Sequence, residues 1–231
     1  MSVDKPFLTI DEQVELLRSR GMSVDGNGRL LLMREGYYSL VNGYKGAFID
    51  RQRTSEAGED RYREGTTLDH LWTLFDLDRE LRELTFPVLV RAEKTFRTAL
   101  AHSFSDEHRG HDAYLDPASY CEPWEYHNRR GYERDKAHLL RILRRAHDNR
   151  VGHASVDHYL GSYGHVPLWV LVNTLTFGNI SHMYALSGSR VRSATCRMVE
   201  EAQGVGRIGT GRMRTAISTL VGFRNVCAHG D

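Results

Sequence analysis

The last stretch of the sequence is Val221-Gly222-Phe223-Arg224-Asn225-Val226-Cys227-Ala228-His229-Gly230-Asp231. Apolar residues recur near helical spacing through it and just before it, at Met213, Ile217, Leu220, Val221 and Val226. This spacing predicts a helix from about Thr210 to Ala228, ended by Gly230 as a left-handed cap. At 100° per residue Asn225 and His229 share a face, and the long side chain of Arg224 can span the roughly 140° that separates it from His229.

Arg224, Asn225 and His229 together are suited to cleaving a phosphodiester without a metal. Arginine stays charged and binds phosphate oxygens through a fork of N–H groups, histidine transfers protons near neutral pH, and asparagine can orient either of them. The carboxy-terminal end of a helix favours a protonated imidazole, which suits a general acid. The alternative is structural: Arg224 pairs with a helix acid and His229 caps the last carbonyls.

The composition is that of a soluble globular protein rather than a disordered or membrane protein. The 231 residues are 40% hydrophobic and 26% charged, with a net charge of +1, so a nucleic-acid site would have to come from local clustering. Cys121, Cys196 and Cys227 form no CxxC pair, which indicates reduced thiols and no metal site. No signal peptide or membrane span is recognisable, so we expect a cytoplasmic protein. We also expect no cofactor.

The longest periodic run begins after Thr66-Thr67 and predicts a long helix. Its apolar stripe consists of Leu68, Leu71, Trp72, Phe75, Leu81, Leu84, Val88, Ala92, Phe96 and Leu100. Pro87 should kink or divide this helix, since proline lacks an amide donor.

The polar segment before the long helix, residues 50–65, is predicted to be an exposed, mobile loop. Thr9-Ile10-Asp11-Glu12 is a capping box that opens a first short helix.

The rest of the chain shows no β pattern, so the predicted fold class is all-α. Residues 167–184 predict a buried helix, a turn at Gly178-Asn179 and a further helix.

Residues 129–150 contain eight basic and three acidic residues, an excess of five. They predict an amphipathic helix whose basic face, with Arg134, Arg141, Arg144 and Arg145, would contact an RNA backbone; a solvated surface is an equally good interpretation.

Several ordered blocks resemble a known family. The residues from Arg224 to His229 are similar to the arginine-polar-x-x-x-histidine motif of the HEPN superfamily. Three further blocks resemble Abi-like proteins, the AbiD/AbiF group of bacterial abortive-infection factors; they are Gly36 to Tyr44, Phe75 to Arg82, and Pro167-Leu168-Trp169 with Phe177 to Ser181. The resemblance implies a HEPN-like helical bundle over residues 66–231, with residues 1–65 as additional N-terminal helices and an exposed loop packed on it.

The same resemblance implies a function. Many HEPN proteins are metal-independent ribonucleases, so Arg224 would bind the scissile phosphate, His229 would transfer protons and Asn225 would position them. The 2′-hydroxyl of RNA would be the nucleophile, and a homodimer would join two motif-bearing helices. In the family the long helix carries a Glu and an Arg, which implies that Glu93 and Arg97 line the site. His102 repeats the motif spacing after Arg97 and is a further candidate; the alternative for Glu93 and Arg97 is a surface ion pair.

Two other functions remain open. One is a non-catalytic module that holds a small non-coding RNA or a partner protein on the basic helix. The other is a HEPN toxin silenced by nucleotide transfer to a tyrosine beyond the histidine, a position past Asp231. Neither membrane nor DNA is expected as a partner.

Overall fold

The computed structural model describes residues 6–149 and 151–229, and of His229 the backbone alone. Over these residues the chain forms ten α-helices joined by turns and short 3₁₀ or π segments, with β pairing limited to isolated bridges. The predicted all-α fold class is confirmed. Within the described ranges, no helix is both long and apolar enough to span a membrane.

The chain divides into two units, one up to Leu84 and one from Thr85 onwards. The helices of the first unit are α1 (Ile10–Ser19), α2 (Gly28–Glu35), α3 (Arg51–Ala57) and the first part of α4 (Leu68–Glu107). The second unit contains the rest of α4 and then α5 (Tyr132–His147), α6 (Ala154–Tyr163), α7 (Leu168–Leu171), α8 (Phe177–Leu186), α9 (Ser189–Gln203) and α10 (Thr210–His229).

The first unit is built on a small core of its own, to which Leu17, Leu32 and Leu71 contribute buried side chains. The predicted capping box is present: the Thr9 hydroxyl accepts from the Glu12 amide, and the Glu12 carboxylate accepts from the Thr9 amide. Because two otherwise unpaired amide donors are satisfied in this way, α1 begins where the sequence indicated.

The prediction of a loop over residues 50–65 is wrong for its first half, which forms α3. The Asp50 carboxylate accepts a 3.0 Å hydrogen bond from the Arg53 amide and caps the helix. Gly58 ends it with a φ of 70°, a conformation that glycine adopts without strain. A short polar helix has no apolar stripe, so only its caps could have revealed it.

Helix α4 begins as predicted, because the Thr67 hydroxyl accepts from the His70 amide at 3.2 Å. Pro87 lies inside one continuous helix, so the alternative of a division there is wrong. The carbonyl that loses its donor belongs to Glu83, and both Glu83 and Pro87 are exposed. Water can therefore satisfy that carbonyl.

The apolar stripe predicted along α4 is buried at its two ends and not in its middle. Leu71 and Phe96 belong to the cores of the two units. Leu81, Leu84 and Val88, by contrast, are 54%, 75% and 53% exposed. The stripe is continuous in sequence, but burial requires a packed core opposite each turn, and Leu81, Leu84 and Val88 belong to neither core.

The second unit has the larger core, formed by the later part of α4 together with α5, α8, α9 and α10. Helix α10 packs against α8 and α9 through Met213 and Ile217, which are 3% and 4% exposed. Its predicted extent is confirmed, whereas Gly230 lies outside the described residues. Val226, the last apolar residue of the predicted spacing, is 46% exposed, since it lies about 140° around the helix from Met213.

The predicted turn at Gly178-Asn179 is also wrong, because both residues lie in the first turn of α8. The chain breaks earlier, between Leu175 and Phe177. Thr176 is the N-cap, and its hydroxyl accepts a 3.2 Å hydrogen bond from the Asn179 amide. A threonine cap determines the start of a helix more strongly than a glycine just inside it.

Candidate functional site

Arg224 lies near the end of α10 on the continuation of the buried stripe that contains Met213 and Ile217. Its side chain is 32% exposed, and its Nε lies 3.5 Å from Oε2 of Glu93 on α4. The guanidinium carbon lies 5.9 Å from the centre of the Phe86 ring, within the range of a cation–π contact. The structure therefore brings Glu93 and Arg224 together from two helices that are far apart in the sequence.

Glu93 is shared between two arginines. Its other oxygen, Oε1, accepts a hydrogen bond from Arg97, and both side chains of this pair are only 12% exposed. Arg97 also donates to the carbonyls of Val172 and, at 2.9 Å, of Leu175. The Glu93–Arg97 pair is thus not the solvated surface pair of the structural alternative, because it is largely buried and tied to a third element.

We call Glu93, Arg97 and Arg224 the ionic cluster. The cluster contains one carboxylate and two guanidinium groups, so it carries one excess positive charge. The Arg224 Nε is buried, and neither it nor the rest of the guanidinium makes a hydrogen bond to any described residue. At 3.5 Å the contact with Glu93 is an ion pair rather than a hydrogen bond, so the terminal N–H groups of Arg224, whose side chain is 32% exposed, are available to an anion.

The other two motif residues lie on the same helix. Asn225 is exposed on α10. The backbone of His229 belongs to the last turn of this helix, and its side chain lies outside the described residues. One helix therefore carries all three motif residues, and the convergence of Arg224 with the His229 imidazole stays a prediction.

His102 does not join the ionic cluster. It follows Glu93 by nine residues on α4, which places it about 180° around the helix and about 13 Å along its axis. Its exposed side chain instead lines a separate cavity.

The basic helix is confirmed as an amphipathic element, α5. Leu139, Leu140 and Leu143 are buried, while Arg134, Arg141, Arg144 and Arg145 are exposed. Arg134 lies 3.0 Å from Asp135, whereas no described carboxylate forms an ion pair with the other three. Their guanidinium groups are available to phosphates, and the structure does not test whether they bind RNA.

The described side chains contain no group of three His, Cys, Asp or Glu residues arranged to hold a metal ion. Burial raises the pKa of the Cys121 thiol and of the Cys196 thiol, which makes both poor nucleophiles.

Three partners of the ionic cluster were missed by sequence reasoning: the Phe86 ring and the carbonyls of Val172 and Leu175. No local pattern marks a backbone carbonyl as an acceptor for a distant arginine. Phe86 could have been found, because it lies seven residues before Glu93, two turns away on the same face of α4.

The fold and the ionic cluster define an all-helical protein with an arginine held at the end of a motif-bearing helix. A family model for Abi-like proteins matches residues 31–231. Since this match covers most of the chain, the chain belongs to the Abi-like abortive-infection family, as the sequence resemblance predicted. No curated protein and no solved structure matches it.

Proposed function

We propose that this protein is a metal-independent endoribonuclease that acts in abortive infection. The observation that supports this most directly is the ionic cluster. Glu93 holds Arg224 from one side, while the guanidinium makes no hydrogen bond to a described residue. A fixed cation with free N–H groups, five residues before a histidine at a helix end, suits a phosphodiester whose charge grows in the transition state.

In this mechanism the RNA 2′-hydroxyl attacks the adjacent phosphorus and the bond to the 5′-oxygen breaks. Arg224 binds the non-bridging oxygens and stabilises their developing charge, and Asn225 orients the phosphate or the imidazole. His229, protonated at the carboxy-terminal end of α10, donates a proton to the leaving 5′-oxygen. The products are a 2′,3′-cyclic phosphate and a free 5′-hydroxyl.

One histidine cannot act as acid and base in the same step, so the site is proposed to form between two copies of the chain. The surface of α10 beside the motif favours this arrangement. Phe223 and Val226, which flank Arg224 and Asn225, are 56% and 46% exposed. A second copy would cover these apolar side chains and bring a second His229 to the same phosphate, where its neutral imidazole would accept the proton of the attacking 2′-hydroxyl.

The experiment compares the wild-type protein with Arg224→Ala and His229→Ala on mixed cellular RNA in EDTA, followed by end-group analysis. We expect cyclic phosphate ends from the wild type, and a loss of at least about a hundredfold in rate in each variant, since each removes a group that acts in the transition state. Arg212→Ala is the matched control, because Arg212 is an exposed arginine on the same helix. Inhibition of cleavage by EDTA, or full activity in either variant, would contradict the mechanism.

The second candidate function is a non-catalytic module that holds RNA, favoured by the arginines of α5 that have no carboxylate partner among the described residues. RNA that stays intact but bound in the wild type and in His229→Ala would support this function over the nuclease.

A further inference from the structure

A cavity of about 640 Å³ lies in the second unit, beside the last turns of α4 and the start of α7. It is distinct from the ionic cluster, because His102, which lines it, lies on the opposite face of α4 from Glu93. Its volume is within the range of pockets that hold small organic ligands, which is about 300–1,000 Å³.

The lining of this cavity is rich in flat rings. Four imidazoles and one indole line it, those of His102, His108, His111, His165 and Trp169. The His111 and His165 ring centres are 4.0 Å apart, and Trp169 is 51% exposed although it lies in a short helix packed on the core. An exposed indole beside a cavity of rings is a stacking platform of the kind that binds nucleobases.

The polar groups of the cavity fit the same ligand. His165 Nδ1 lies 3.0 Å from the Tyr163 carbonyl, which can only accept, so Nδ1 carries the proton. In the neutral ring Nε2 is then an acceptor, available to the exocyclic amino group of adenine, cytosine or guanine. Uracil has no amino group, but its N3–H can donate to the same atom.

The two acidic residues of the lining are already engaged. Asp106 pairs with Arg109. Asp112 accepts from the Tyr114 hydroxyl at 3.0 Å and from the Val166 amide at 3.1 Å. Their charges are partly neutralised, so repulsion of a nearby phosphate is reduced.

The cavity and the ionic cluster are joined by one continuous segment. Trp169 lies three residues before Val172, and the carbonyls of Val172 and Leu175 hold Arg97. A ligand that contacts Trp169 therefore touches the same short stretch of chain that fixes the ionic cluster.

We propose that this cavity binds one base of a single-stranded RNA, stacked on Trp169 with its amino group donating to Nε2 of His165. The proposal depends on the proposed function in one respect, which is that RNA is the ligand. It adds the position of a base and its hydrogen bond to His165.

The test measures binding of 2′-O-methyl oligonucleotides to the full-length protein. They lack the 2′-hydroxyl, so binding is measured whether or not the protein is a nuclease. Trp169→Ala should weaken binding by about tenfold or more, since stacking contributes most of the affinity for a base, while Trp169→Phe should retain most of it. Trp124→Ala is the matched control: Trp124 is 65% exposed and does not line the cavity.

Two further binding measurements identify the ligand. An oligonucleotide with abasic sugars should bind more weakly than one of adenosines. Adenosine monophosphate alone should bind weakly and compete for the same site; if it binds as tightly as the oligonucleotide, the natural occupant is a free nucleotide and the RNA proposal is overturned. Equal binding by wild type and Trp169→Ala, or equal binding of abasic and adenosine oligonucleotides, would also overturn it. If the protein binds RNA through Trp169 but does not cleave natural RNA, the proposed nuclease function is contradicted and the proposed base-binding site is supported.

Discussion

At the scale of single residues, Glu93 determines how Arg224 is presented. A guanidinium at a helix end could adopt many rotamers, but a carboxylate 3.5 Å from its Nε restricts it to one side. The same carboxylate pairs with Arg97, so one anion organises two cations that belong to different helices. Because these side chains are largely withdrawn from water, removing the anion leaves the cations uncompensated, which is more destabilising than the loss of an exposed ion pair.

We predict that Glu93→Gln lowers the free energy of unfolding by about 1–3 kcal/mol, since the amide keeps the shape of the side chain but removes its charge. Thermal or denaturant unfolding measures the change. The same variant should weaken RNA cleavage, because Arg224 is less well positioned.

The matched control for this variant is Glu133→Gln on α5. Glu133 is 77% exposed and lies 3.9 Å from Lys136, so its pair should contribute less than about 0.5 kcal/mol. Equal stability of the two variants would show that the ionic cluster does not stabilise the fold.

At the scale of elements, helix periodicity was sufficient to predict a helix and its buried face wherever one face of that helix packs on one core. It gave the buried face of α5, the extent of α10 and the start of α4. It failed for α3, which has no apolar face, and for the middle of α4, where an apolar stripe meets no core. The structure leaves the arginine face of α5 exposed, as the alternation of basic and apolar residues predicts.

We predict that changing Arg141, Arg144 and Arg145 to Gln weakens RNA binding and makes it less dependent on salt. Removing one arginine that binds a phosphate should reduce the slope of log K against log salt by about 0.7 for a single strand, so removing three should reduce it by about 2. Titrations of 2′-O-methyl RNA at several salt concentrations measure this slope.

The matched control replaces three exposed arginines of the first unit, Arg51, Arg53 and Arg63, with Gln. The net charge changes equally, so a general electrostatic effect would appear in both variants. If the slope is the same for the α5 variant and the wild type, α5 does not contact the RNA backbone.

At the scale of the whole molecule, both units keep tyrosine hydroxyls out of water. Burial, with a hydrogen bond to Asp78, raises the pKa of Tyr44 to about 12. Burial, with a hydrogen bond to Asp135, raises the pKa of Tyr126 to about 12. Burial also raises the pKa of Tyr62, Tyr114 and Tyr184.

We predict that the protein loses stability as the pH rises above about 10. An unfolded tyrosine ionises near pH 10, whereas the folded groups hold their protons to a higher pH, so above that value the unfolded chain binds fewer protons and becomes relatively more stable. Tyrosinate absorbance and the helical circular dichroism signal, followed together against pH, should change in the same transition. Complete ionisation with an unchanged helical signal would contradict this.

The sequence alone determined the all-α class, the starts of α1 and α4, the extent of α10, the amphipathic α5 and the placement of the motif on one helix. It also predicted the Abi-like family. These features depend on local physics: side-chain spacing, caps and the residues of ordered blocks. The resemblance implied that Glu93 and Arg97 line the site, but only tertiary structure placed the Glu93 carboxylate against Arg224, gave Arg97 its carbonyl acceptors and assembled the ring-lined cavity from α4, the loop after it and α7. Such contacts join residues far apart in sequence, and only packing determines which faces of two helices meet.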